Sequence, residues 1–327
     1  MNTSSDNNIQ QPKIIQALTA GFDTIASHPY LILFPILLDL FLWFGPSWRV
    51  DAFFQPIIEN IDLLSGINGA DIDMLLESYQ AFWQDLGANF DLALSLRTLP
   101  IGVPSLMVSK PSFLNPLGQP PVFSLESSFQ VLSFLGFFLL IGYLFGSIYF
   151  SNISDQIIQG QKKKGEMTFL KTFLQIILMP LILLTLFVLL SIPLMFILGL
   201  VTMISPAMGQ LMIFLGGAIL LWVLMPLVFT PHCIFLYRQN LIAAMMTSIS
   251  VVKTSMGKTA WFLILSFIII EGMDMLWRTP EVDNWFLLVG ILGHAFVVTA
   301  IIAASFHYFL DATRFTQSIM NRDIKPA

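Results

Sequence analysis

Apolar and polar residues fall in long blocks along this chain, not at the short period of a surface helix or strand. From Thr172 to Tyr237, sixty-six residues pass without one Asp, Glu, Lys or Arg, and Ser205-Pro206-Ala207-Met208-Gly209-Gln210 is the only turn-forming interruption. A bilayer core about 30 Å thick asks for about 20 apolar residues per crossing, so each arm is long enough to span. The pattern predicts a transmembrane helical hairpin, with the other apolar blocks as its neighbours in lipid. Crossings are expected at about 30–48, 129–149, 176–204, 210–237, 260–278 and 285–309. Ahead of the first, Ile14, Ile15, Leu18, Phe22 and Ile25 recur at helical spacing with Lys13, Gln16, Thr19 and Asp23 between them. That spacing predicts an amphipathic helix in the membrane plane. Met167–Leu174 and Leu241–Met256 precede the third and fifth crossings in the same way. The predicted fold class is an all-α polytopic membrane protein with six transmembrane helices, in-plane amphipathic helices and one long outer loop. Residues 1–11 read as disordered, 12–310 as the membrane domain and 311–327 as a soluble cytoplasmic tail.

The outer loop, 49–126, carries most of the acid and one apolar helical stripe, Ile72, Leu75, Leu76, Tyr79, Phe82, Trp83 and Leu86. Between Thr98 and Val122, Pro100, Pro104, Pro111, Pro116, Pro120 and Pro121 favour extended or turn backbone. One helical stripe makes a thin core. The apolar residues Leu99, Ile101, Val103, Leu106 and Met107 are therefore expected to lie against the membrane or the helix bundle, with the loop folding on the membrane surface. In the second crossing, Gly142 and Gly146 form a GxxxG pair that suits close approach of another helix.

Composition agrees: 56% of residues are hydrophobic, 11% are charged and the mean hydropathy is +0.80, against about 25% charged in globular chains. The net charge of -5 offers no basic face for nucleic acid. A single cysteine, Cys233, excludes an intramolecular disulfide framework. No apolar run begins before Tyr30, so no cleavable leader is expected. With both termini in the cytoplasm, eleven Lys and Arg lie inside and four outside, Arg49, Arg97, Lys110 and Arg278. The predicted location is a cell membrane, crossed several times.

The stretch Tyr237-Arg238-Gln239-Asn240-Leu241-Ile242-Ala243-Ala244, with Ser248, Ser250, Lys253 and Trp261, resembles a six-helix bacterial membrane family. That family is related to the membrane domain of some glycerophosphodiester phosphodiesterases. The resemblance implies a bacterial inner-membrane location and no catalysis. The hydrolase of those proteins is a separate soluble domain, for which this chain has no room, and the long acidic loop departs from the family.

Catalytic signatures are lacking in the sequence. His28, His232, His294 and His307 are scattered, without HExxH, CxxC, a nucleophile elbow or a phosphate loop. Neither an enzyme activity, a cofactor nor a metal is expected. The informative groups are ionisable residues inside crossings: Asp39, Glu271, Asp274 and His294. A charge near the bilayer centre costs about 3 kcal/mol or more, so such groups face a bundle interior or water. Asp39, Glu271 and His294 sit at matched depth from their aromatic anchors and are expected to share one polar pocket. Lys162, Lys163 and Lys164 are candidates for lipid-headgroup contact. Two functions follow: a transport or permease-like role with a proton, cation or small polar solute, or a non-catalytic accessory subunit of a membrane complex. Expected partners are the lipid bilayer and a membrane protein or a second copy of the chain.

Overall fold

The computed structural model describes residues 11–50, 53–56, 58–59, 70–109, 114–158 and 168–323. Its α-helices are α1 (Ile14–Ser27), α2 (Leu33–Phe44), α3 (Ala70–Asn89), α4 (Ser128–Ile157), α5 (Phe169–Ile204), α6 (Pro206–Leu224), α7 (Thr230–Tyr237), α8 (Leu241–Thr254), α9 (Met256–Trp277) and α10 (Leu287–Asp323). Among the described residues, five helical runs are long and apolar enough to cross a membrane, and α1 with Pro29–Phe44, broken at His28, makes a sixth candidate. The chain is an all-α, multi-pass membrane protein.

The helices outrun the expected crossings at several ends. Helix α5 is continuous from Phe169, through Pro180 and Pro193, to Ile204, so the turns before Pro180 extend the helix and form no separate in-plane segment. Helix α10 continues to Asp323 with Ala312, Thr313 and Thr316 buried, which takes much of the predicted tail into packed structure. The fourth block breaks instead. Pro226 cannot donate to a helix ladder, and a 3₁₀ turn at Met225–Leu227 separates α6 from α7. The Ser248 hydroxyl mends this break: it donates to the Pro226 carbonyl at 2.7 Å and accepts from the Phe229 amide at 3.1 Å.

Two compact units result. One comprises Met1–Ser27, Phe150–Ile268 and Ala300–Ala327; the other comprises His28–Tyr149 and Ile269–Thr299. In the first, α5 and α6 pack on each other as the expected hairpin. Their hydroxyls are satisfied within the helix, Thr185 on the Leu181 carbonyl and Ser191 on the Phe187 carbonyl. Arg238 ends α7 in the left-handed conformation, and the Asn240 side chain caps α8 by accepting from the Ala243 amide. Arg238–Asn240 thus marks a helix stop and a helix start. Gly21 of α1 lies against the Ala300–Ala304 backbone of α10, where a side chain would collide.

In the second unit the described part of the 49–126 loop takes the helix-bundle side of the two expected positions. Its Ser47–Arg49 and Val122–Ser124 ends pair as a short parallel ladder, β1 and β2. Between them, residues 91–107 are inserted among the helices and do not spread over a surface. Leu92, Ala93 and Leu96 join Val50, Leu125 and Phe138 in one core cluster. Leu106 and Met107 join Trp43, Leu287 and Ile291 in another. Gly142 and Gly146 of α4 make room for this segment, at the Leu96 carbonyl and at Ile101 and Gly102 respectively. The GxxxG face therefore receives a 3₁₀ turn end and irregular backbone of its own chain, not a second α-helix. Irregular backbone beside the middle of an apolar helix is stable only when protein buries its polar groups, and Ile101, Val103, Ser105 and Leu106 are all 2% exposed or less.

Asp91 anchors the entry to this segment. Its carboxylate accepts from the Trp48 and Ala93 amides, both at 2.9 Å. Burial pushes its pKa up, against the opposing effect of those hydrogen bonds. A raised carboxylate pKa means stability that is full below the ordinary value and is lost as pH rises through the folded-state value. Asp91→Asn should keep the acceptor and flatten that acid-side dependence, whereas Asp91→Ala should cost about 1–2 kcal/mol. Melting curves from pH 4 to 8 check both; an unchanged slope in Asp91→Asn would refute the assignment.

Candidate functional site

The intramembrane ionisable residues all fall in the second unit, near the C-terminal ends of α2 and α9 and the N-terminal end of α10. At 1.5 Å per residue, Asp274 lies about 5 Å from the end of α9, Glu271 about 9 Å, His294 about 10 Å into α10 and Asp39 about 8 Å from the end of α2. Their side chains take different partners.

Three of them and Arg278 form a chain. The His294 Nδ1 lies 2.6 Å from Asp274 Oδ1, with both residues buried. Arg278, at i+4 from Asp274, donates to its Oδ2 at 3.1 Å and lies 3.8 Å from Glu271 Oε2. Burial is graded along the chain, from a Glu271 side chain 49% exposed, through Arg278 at 32%, to His294 at 4%. The His294 Nε2 has no hydrogen-bond partner among the described residues. Gly293 permits this arrangement, because a side chain there would strike the Trp277 ring.

Asp39 takes a different partner. Its carboxylate accepts from the Ser105 hydroxyl at 2.5 Å and from the Leu106 and Met107 amides at 3.1 Å each. His294 acts on it electrostatically but makes no hydrogen bond to it. The expectation that Asp39, Glu271 and His294 share one pocket is thus corrected. Glu271 points to Arg278 at the half-exposed end, and Asp39 is occupied by the inserted segment. Ser105 was missed as a partner; the only trace in the sequence is a hydroxyl residue isolated among prolines and aliphatics. Lys162, Lys163 and Lys164 lie outside the described residues. Among the described residues no group of His, Cys, Asp and Glu converges as a metal site.

No family profile, curated protein or solved structure matches this chain.

Glu271, Arg278, Asp274 and His294 thus form one run of contacts from a half-exposed carboxylate to a buried imidazole, whose Nε2 has no partner among the described residues.

Proposed function

We propose that this chain is a non-enzymatic membrane protein with a transport or permease-like role, in which Glu271, Arg278, Asp274 and His294 handle a proton. The observation that carries the reading is the buried 2.6 Å His294–Asp274 contact, linked through Arg278 to a half-exposed Glu271. It provides an accessible acceptor at one end and a buried titratable ring at the other. We place both termini in the cytoplasm and count six crossings. The basis is the eleven Lys and Arg against four and the sixth helical candidate at 14–44. In this orientation Glu271 opens toward the outer face. The six-helix pattern that resembles the bacterial membrane family supports the same non-catalytic reading.

The test uses purified protein alone in sealed liposomes, with a pH-sensitive dye inside and an imposed pH gradient. Wild-type vesicles should pass protons faster than empty ones, and His294→Gln and Asp274→Asn should each lower that flux at least tenfold while remaining folded. A cysteine replacing Asn284, in a Cys233→Ser background, should label from outside intact cells. Flux no greater than in empty vesicles would sink the transport reading.

The accessory-subunit reading has its own support. Most of the apolar side chains of α5 and α6 are exposed, among them Leu184, Leu189, Ile192, Phe196, Phe214 and Leu221, a surface suited to a membrane-protein partner or a second copy. That reading gains ground if proton flux is absent and a stoichiometric partner co-purifies in mild detergent.

A further inference from the structure

A groove of about 460 Å³ lies within the first unit, between the start of α1 and the first half of α9. Its makeup is uneven. Its lining includes two lysines from distant parts of the sequence, Lys13 and Lys258, both exposed. Neither makes an ion pair among the described residues. The rest of the wall is apolar, from Ile15, Trp261, Ile264 and Ile268, of which Ile15 is 69% and Trp261 65% exposed. From Lys258 to Ile268 the wall runs about 15 Å along the helix at 1.5 Å per residue.

Each feature narrows the ligand. An uncharged apolar solute would leave two cations without purpose, and a free inorganic anion would leave the hydrocarbon wall unused. Trp261 stands three residues after Lys258, where an amphipathic ring marks the level of the headgroups. Paired basic side chains beside a transmembrane helix suit a phosphate headgroup, with an acyl chain along the helix below.

We propose that this groove is a binding site for one anionic phospholipid. Lys13 and Lys258 clamp the phosphate from two sides, and the Trp261–Ile268 face of α9 holds an acyl chain. The site ties helix α1 to helix α9 through a lipid. It stands independently of the proton-handling reading.

Native mass spectrometry of the full-length protein in mild detergent, titrated with phosphatidylglycerol, tests this. One molecule should be retained preferentially. Lys13→Gln with Lys258→Gln should weaken retention by about 30-fold, roughly fivefold per ammonium. The melting temperature without added lipid should stay at the wild-type value, because both lysines are exposed. Phosphatidylcholine should bind wild-type no better than phosphatidylglycerol binds the double variant. Glycerol 3-phosphate, a headgroup without chains, should fail to compete at equal concentration. Unchanged affinity in the double variant, equal binding of the zwitterionic lipid, or displacement by glycerol 3-phosphate would each overturn the proposal.

Discussion

Asp39→Ala is expected to loosen the inserted 91–107 segment and cost about 3 kcal/mol. The carboxylate satisfies three donors that have no water to turn to: the Ser105 hydroxyl and the Leu106 and Met107 amides. Leaving a buried donor without a partner costs about 1–3 kcal/mol. The sum is offset because the buried carboxylate's own desolvation is removed as well. Asp39→Asn should fall between wild-type and Ala. Its carbonyl can still accept from Ser105 and Met107, while its amide nitrogen opposes the Leu106 N–H. For a chain of this size, 3 kcal/mol lowers the melting temperature by about 4 °C. A cysteine replacing Val103, which is 2% exposed, should react with a small maleimide at least tenfold faster in the Asp39→Ala protein. Melting within a degree of wild-type, with the cysteine still protected, would show that Asp39 does not hold the segment.

This clamp also shows where reading the sequence stops. The long apolar arms, their hairpin and the i,i+4 spacing of Asp274 and Arg278 were legible, because each is a local pattern with a fixed period. Asp39 was legible as an intramembrane acid that must find partners. Its actual partners were not, since two are backbone amides more than sixty positions away and carry no residue signature. The same limit applies to His294: depth along α10 can be counted, but the rotation that turns the ring to Asp274 and away from Glu271 depends on packing. Among the described residues of 98–122 there is a 3₁₀ turn at Met107–Ser109 but no α-helix, as the prolines required. They also hid the insertion, because irregular backbone is usually expelled from an apolar bundle. What admits it here is a pair of glycines and an acid on two different helices.

The glycines of α4 give the second large expected effect, and one helix supplies both the variant and its control. A methyl group at Gly142 would overlap the Leu96 carbonyl and approach the Thr98 side chain at 2.8 Å. Backbone cannot rotate away as a side-chain tip can, so either α4 or the inserted segment must shift. Overpacking of this kind costs about 1–3 kcal/mol, and Gly142→Ala belongs at the upper end because Leu96 is itself held in a core cluster. Gly146→Ala should cost less, since its nearest neighbours, the Gly102 Cα and Ile101 carbonyl, stand 2.9 and 3.0 Å from the added methyl. Gly136 has nothing within 4 Å of that position. There Ala removes the flexibility penalty of glycine at no steric cost, a gain of up to about 1 kcal/mol. Thermal melts of the three single variants in the same detergent should therefore rank Gly136→Ala above wild-type, then Gly146→Ala, then Gly142→Ala. The maleimide reaction at position 103 should speed up only in the last two. A GxxxG face used instead to dimerise would give a different result: Gly142→Ala would change the oligomeric state and leave the protection of position 103 intact.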